Sequence, residues 1–499
     1  MQNYYPFMIP RLNGEEIKKN FSWYRSLVRK GIAGFIIFGG ELETVRTYVR
    51  KLQEEAELPL VISSDLERGL GQQLKGGTVF PPAMAIGAAY RNRQKANGKG
   101  RAAKGQAAEA GQGASSKFDI QGSELNLIKR SFRAVAIEAK YAGINTIFAP
   151  VLDINTNPTN PIIAVRAFGE DPETVSVLGI EMIKALQRNG IAACGKHFPG
   201  HGDTSVDSHI KLPVLHQEMK RLRRYELKPF VKAIEARVKM IMLGHLSVPA
   251  LDASGTPVSF SKKAVQFLRR NMRYDGLLIT DALNMGGIGN FSEEEASVKA
   301  LEAGVDILLH PSDVEKVAGY LARMNTEADP GRLLRFRKRL RPLSVCDKPP
   351  FAFHARVSQQ LTEEAITISH RVSLKGTPLL VILNEDAGDN GRAFGRIMKK
   401  QMPGMRVYEF GPGDRAQGIA KQEDESMIVA IFSETKAWKG GTSTWLFKNV
   451  SALKNQADLF VSFGSPYLLD GIGKTPCLYA YWDAAQSQEV VAELLLRSS

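Results

Sequence analysis

The chain is 499 residues long, 43% hydrophobic and 24% charged, with 45 Gly and 24 Pro, which excludes a collagen-like or wholly disordered protein. No stretch approaches the ~20 consecutive apolar residues of a membrane-crossing helix. Cys194, Cys346 and Cys477 form no CxxC pair, which excludes a disulfide framework or a cysteine zinc site and suits a reducing compartment.

The start, MQNYYPFMIPRLNGEE, has no basic region leading into an apolar one, so no secretory signal is expected and the setting is read as cytoplasmic. Short apolar runs then recur, each followed by polar or Gly residues and a helix-like segment. They run from Pro6 to Pro10, Gly34 to Phe38, Leu58 to Ser63, Ile144 to Ala149, Ile191 to Gly195, Val238 to Leu243, Gly276 to Thr280 and Val305 to Leu309. Such runs suit strands buried on both faces of a parallel sheet. Between them, PETVSVLGIEMIKALQRNG has helical spacing and closes on Gly190 as a helix C-cap would. Eight strands with helical connections predict a (β/α)8 TIM barrel over residues 1–340. A doubly wound open sheet is the alternative, but no GxGxxG follows the first strand.

Residues 91–117 interrupt the series with seven Lys/Arg, one Glu and no apolar residue larger than Ala, which predicts a disordered basic insertion. The formal net charge of +14 raises nucleic acid as a partner. The insertion has no interleaved aromatics for base stacking, so a solvated segment is the simpler reading, and no nucleic acid or membrane partner is expected. A basic helix and a Pro-containing linker over 341–356 precede more strand-like runs, PLLVILN, MIVAIFS, DLFVSFG and CLYAYWD. They predict a second α/β domain over 357–499.

Charged and imidazole groups collect at the carboxyl ends of the predicted strands, where barrel enzymes place their chemistry. Asp65 follows the third strand, Asp153 the fourth, Lys196, His197 and His201 the fifth, His245 the sixth, Asp281 the seventh and His310 the eighth. The densest stretch is GKHFPGHGDTSVDSHIKLP, Gly195 to Pro213, read as a long polar loop. Three readings compete for it. His197, His201 and His209 with Asp203 or Asp207 are suitable metal ligands by type, but an HxH pair on the first strand and HExxH are both missing, so no metal is expected. One or two of the imidazoles could bond the backbone of a Gly-rich loop. The preferred reading is acid–base: in an extended segment Asp207 and His209 point to one side. The carboxylate then fixes the imidazole tautomer, and the other ring nitrogen moves a proton. Asp281, where a buried strand meets the active face, is a nucleophile, a general base or a helix cap.

On SSDLERG, APVLDI, NPIIAVRAFGEDP, KHFPGHGDTSVDSH and LITDALNM, the chain resembles glycoside hydrolase family 3, in particular its NagZ-type β-N-acetylglucosaminidases, from about Gly34 to Leu309. The resemblance implies that Asp281 is the nucleophile of a retaining exo-glycosidase and that His209, paired with Asp207, is its general acid/base. It implies that Asp65 holds sugar hydroxyls, and that Arg166, Lys196 and His197 hold the non-reducing sugar and its 2-acetamido region. Asp153 and His245 are further candidates for shaping the pocket. It implies a second α/β sandwich domain, no cofactor, and a small oligosaccharide or muropeptide substrate from peptidoglycan. Two features depart from the pattern: the insertion after Tyr90, and Arg68 where the family more often has Gly. Trp23 is the one tryptophan of the barrel portion, which fits a small pocket better than a long cleft; Trp438, in KAWKGGTST, reads as an exposed turn. The alternatives are a β-glucosidase or dual-specificity glycosidase, a phosphorylase of the same family, and a basic binding protein on a degenerate barrel. The intact Asp207, His209 and Asp281 speak against the last.

Overall fold

The computed structural model describes residues 2–107, 125–340, 347–386, 388–435, 439 and 441–497, with the side chains of 97–107 left out. Cys346, Trp438 and the basic segment beyond Ala107 lie outside the described residues. In chain order the structure begins with β1 (Met8–Ile9), β2 (Arg11–Asn13), α1 (Phe21–Arg29), β3 (Gly34–Phe38), α2 (Leu42–Glu55) and β4 (Val61–Ser64). Next come α3 (Ala83–Ala107), α4 (Asn126–Ala142), β5 (Thr146–Ile147), α5 (Pro172–Arg188), β6 (Ala192–Phe198), α6 (Met219–Arg224) and α7 (Leu227–Glu235). Then follow β7 (Met240–Leu243), α8 (Lys262–Gln266), β8 (Leu277–Thr280), α9 (Glu293–Ala303), β9 (Leu308–Leu309), α10 (Val314–Arg323) and α11 (Gly331–Arg339).

Two compact units form. The first comprises Met1–Val79, Lys129–Ile163 and Ala167–Ala355; the second comprises Phe80–Ile128, Ala164–Arg166 and Arg356–Ser499. In the first, β2 to β8 make a seven-stranded sheet, every neighbour parallel and in chain order. β1 pairs in parallel with β9, and Ile279 bridges to Ile307. The sheet curls, because Ile36, Val61, Cys194, Met240 and Ile279, from strands across it, meet Ile9 of β1 and Leu309 of β9 in one buried cluster. Pro10, which has no N–H to donate, separates β1 from β2, so the first expected run is two short strands. Helix starts and stops follow local chemistry. Asp171 caps α5 by accepting the Thr174 N–H at 2.8 Å, ahead of Pro172. Ser292 and Glu295 form a capping box at α9, which ends on Gly304 at a φ of 95°.

The second unit continues with α12 (Phe351–Ala365), β10 (Thr367–Ile368), β11 (Leu379–Asn384), α13 (Asn390–Gln401), β12 (Val407–Phe410), β13 (Met427–Phe432), α14 (Thr444–Leu453), β14 (Leu459–Ser462), β15 (Cys477–Tyr479) and α15 (Ala485–Leu496), the first residues of α12 belonging to the first unit. Its sheet order is β10-β15-β14-β13-β11-β12, parallel except for β10. Leu380, Ile382 and Ile428 face one apolar cluster, while Leu379, Val381 and Met427 face another. This is the alternation of a sheet covered on both sides. α3 extends as far as Ala107, into the stretch expected as a disordered insertion, since Ala, Arg, Lys and Gln have high helix propensity. Among the described residues no helix is long and apolar enough to cross a membrane.

Candidate active site

β4, β6, β7 and β8 of the first unit deliver the candidate residues to one end of the curled sheet. β4 ends at Ser64, so Asp65 and Glu67 follow it directly. Lys196 and His197, expected in a loop, belong to β6, which runs to Phe198. The Lys196 ammonium is buried, 2.7 Å from Asp65 Oδ1 and 2.6 Å from Glu67 Oε1. A cation out of water needs such compensation, so Glu67 joins the site, and its place in SSDLERG was the available signal.

Asp153 is an internal anchor. It is fully buried, its Oδ1 accepts the backbone N–H of His197 (3.1 Å) and of His201 (2.8 Å), and its Oδ2 lies 2.7 Å from His197 Nδ1. Burial acts to raise its pKa, but the His197 imidazole and the His201 N–H outweigh that and hold it below the usual carboxylate range. With Nδ1 committed to Asp153, His197 presents Nε2 as its remaining polar atom. His201 points into the interior, with Nδ1 2.7 Å from Thr204 Oγ1 and Nε2 buried without a partner among the described residues. Burial presses its pKa down to about 4, against the opposing pull of Asp153. Asn160 ties the neighbouring loop to this one, donating to the His201 and Thr204 carbonyls at 2.9 Å each.

Asp207 and His209 do pair, but through a turn and not through the expected extended segment. Asp207 Oδ1 accepts the His209 backbone N–H at 2.8 Å and lies 2.8 Å from His209 Nδ1. The Ile210 and Lys211 N–H groups meanwhile donate to the Asp207 carbonyl. An aspartate that bonds the backbone two residues on builds such a turn by itself. Asp207 is buried, and the His209 side chain is 20% exposed.

Asp281 follows β8. Its N–H donates to the Leu243 carbonyl at 3.0 Å, and its Oδ1 accepts the Ala282 N–H at 2.8 Å. Burial would raise its pKa, but the His197 and His245 imidazoles, the Ala282 N–H and the His209 imidazole prevail and lower it to about 2. The carboxylate is therefore ionised throughout the neutral range. His245 is fully buried behind it, with Nδ1 2.6 Å from Ser259 Oγ and Nε2 3.0 Å from the Ala282 carbonyl. A carbonyl only accepts, so Nε2 carries the hydrogen and Nδ1 accepts from Ser259. Burial lowers the His245 pKa. Its imidazole thus holds the peptide after Asp281 in place.

Two glycines seat the His209 turn beside Asp281. Gly286 N–H donates to the His209 carbonyl at 3.0 Å, and a Cβ there would stand 2.5 Å from the Ile210 carbonyl oxygen. A Cβ on Gly287 would stand 2.7 Å from the Ser208 carbonyl oxygen and 2.8 Å from His245 Cβ. The structure thus gathers Asp65, Asp153, Lys196, His197, His245 and Asp281 at the ends of adjacent strands, with Asp207 and His209 on the turn beside them. Arg166 closes the short turn Ala164–Arg166, which groups with the second unit. Among the described residues no set of three His, Cys, Asp or Glu side chains is arranged to hold a metal ion.

A curled parallel sheet with an ionised aspartate after one strand and an Asp–His pair on a neighbouring loop marks a recognised class. The chain belongs to glycosyl hydrolase family 3: the profile of the Glycosyl hydrolase family 3 N terminal domain matches residues 12–336. It is 34% identical over 302 residues to Beta-hexosaminidase A of Pseudoalteromonas piscicida, covering 56% of this chain and 46% of that protein, so it spans less than half the length of that relative. It is 29% identical to the Beta-hexosaminidase of Hydrogenovibrio crunogenus over 313 residues, 61% of this chain and 79% of that one. Among solved structures, a family 3 β-N-acetylglucosaminidase from Paenibacillus sp. str. FPU-7 aligns with all of this chain and 97% of its own, with a TM-score of 0.76 and 25% identity.

Proposed function

We propose that the chain is an exo-acting, retaining β-N-acetylglucosaminidase that removes terminal β-linked GlcNAc from small peptidoglycan fragments. Its catalytic unit is read as a closed (β/α)8 barrel, supported by the β1–β9 pairing and the Ile279–Ile307 bridge. The observation that carries the reading is the Asp207–His209 pair, docked by Gly286 against the loop that follows an ionised, buried Asp281.

In the first step His209, with Nδ1 held by Asp207, gives the Nε2 proton to the glycosidic oxygen as the Asp281 carboxylate bonds to the anomeric carbon. The aglycone leaves as the alcohol, and a covalent glycosyl-aspartate remains. In the second, His209 Nε2 takes a proton from water as its oxygen attacks the same carbon, Asp281 departs as carboxylate, and the β configuration is restored. The low pKa of Asp281 favours its charged form opposite an oxocarbenium-like transition state. Asp65, steadied by Lys196, and His197 through Nε2 would bind the sugar. A cytoplasmic setting is supported by the free thiols of Cys194 and Cys477.

Paired aryl β-glycosides of GlcNAc and glucose, each with and without phosphate, test the proposal. GlcNAc should be released as the free sugar at a rate independent of phosphate, and Asp281→Ala should lose about 10³-fold or more in kcat. Preference for the glucoside, or formation of a sugar 1-phosphate, would overturn it.

A further inference from the structure

We infer that the first unit carries a second ligand site, at the end of the sheet opposite the catalytic residues, shaped for a phosphorylated small molecule such as a nucleoside polyphosphate. A cavity of about 770 Å³ opens between α11 and the loops that enter β6, β7 and β8. Pockets for small ligands span roughly 300–1,000 Å³. Arg188, Arg237, Lys239, Arg273, Arg335 and Arg339 line it, against a single carboxylate, Asp275. The nearby buried Asp306 is already taken by Arg269 and Arg332, each at 2.8 Å. Among the described residues the six cations have no ion-pair partner, so their donors are available to an anion. Leu277 and the ring of Phe336 supply an apolar wall, which suits a ligand with a planar part as well as phosphates.

The backbone gives a second, independent indication. Four helix-to-strand connections of the curled sheet place glycine in the left-handed region: Gly31 before β3, Gly143 before β5, Gly190 before β6 and Gly304 before β9, with φ between 85° and 95°. The two that enter β7 and β8 place Arg237 and Arg273 there instead, with φ of 59° and 54°. An L side chain is disfavoured in that conformation and glycine is not. Both exceptions are arginines on the wall of the same cavity, which is what retention of a cation for binding would leave behind. Gln187 braces one of them, donating to the Arg237 carbonyl and accepting from the Lys239 N–H, each at 3.0 Å. Guanidinium groups on a braced loop are matched to phosphate oxygens, which they bind with two parallel N–H donors.

Calorimetric titration of the full chain with ATP, inorganic pyrophosphate and adenosine tests this site separately from the reaction at the other end. Saturable binding of ATP, weaker binding of pyrophosphate and none of adenosine are expected. The double variant Arg237→Gly, Arg273→Gly removes two cations while relieving two strained residues. It should bind ATP about tenfold more weakly or worse, with a thermal midpoint no lower than wild type. Absence of ATP binding, adenosine binding as tight as ATP, or equal ATP binding by the double variant would overturn the proposal.

Discussion

Burial sets opposite problems for Asp281 and His201, and their surroundings resolve them differently. Asp281 is ringed by imidazoles and an N–H, so its charge survives burial, whereas His201 has a buried Nε2 with no acceptor among the described residues and stays neutral. The consequence for stability has a definite sign. Burial takes the His201 pKa in the folded protein down to about 4 from the ordinary 6.5 of an imidazole, although Asp153 pulls it upward, and His197 pushes it further down. Its contribution is therefore complete above pH 6.5 and is lost as pH falls from 6.5 to 4, by about 3 kcal/mol. Urea unfolding across that range should show wild type losing more stability than His201→Gln; parallel losses would contradict the neutral-histidine account. Residue identity made Asp281, His209 and Asp207 legible in the sequence, because a carboxylate after a buried run and an Asp-x-His spacing are local features. Glu67 and Ser259 are harder to read, since each acquires its partner, Lys196 or His245, only through folding, and only the place of Glu67 in SSDLERG hints at its role.

At the scale of elements, the site depends on one loop resting on another. The His209 turn closes itself through Asp207, but its position beside Asp281 depends on the close approach of Ile210 and Ser208 to Gly286 and Gly287. Gly286→Ala places a methyl 2.5 Å from a carbonyl oxygen and must push the turn away. A displacement near 1 Å costs roughly 10²-fold in rate, so kcat/KM should fall by about that factor while the protein remains folded. Unchanged kinetics would show that the seating of the turn is immaterial. Long, apolar strands such as β3, β11 and β13 could be read directly from the sequence. β12 could not: VYEF has two exposed residues between half-buried ends at the sheet edge and forms no apolar run. β6 outran its expected end because Lys196 and His197, polar in sequence, remain buried in the strand through partners from elsewhere.

For the whole molecule, the alternation of strands and helices was enough to predict parallel α/β architecture, because only a two-sided covered sheet buries runs such as FIIF and LLVIL. Grouping into units was less visible. The segment Phe80–Ile128 clusters with the second unit although the chain reaches it between β4 and β5; the basic composition of 91–117 marks an insertion there but not the unit it groups with. The division of labour proposed for Asp281 and His209 is open to one direct test: the anomeric configuration of the product when Asp281→Ala is given an activated aryl β-GlcNAc glycoside and azide, read by NMR. With the nucleophile removed and His209 intact, azide should attack from the vacated face and yield the α-glycosyl azide. A β-glycosyl azide, or turnover equal to wild type without azide, would contradict the assignment of Asp281 as the group that bonds to the sugar.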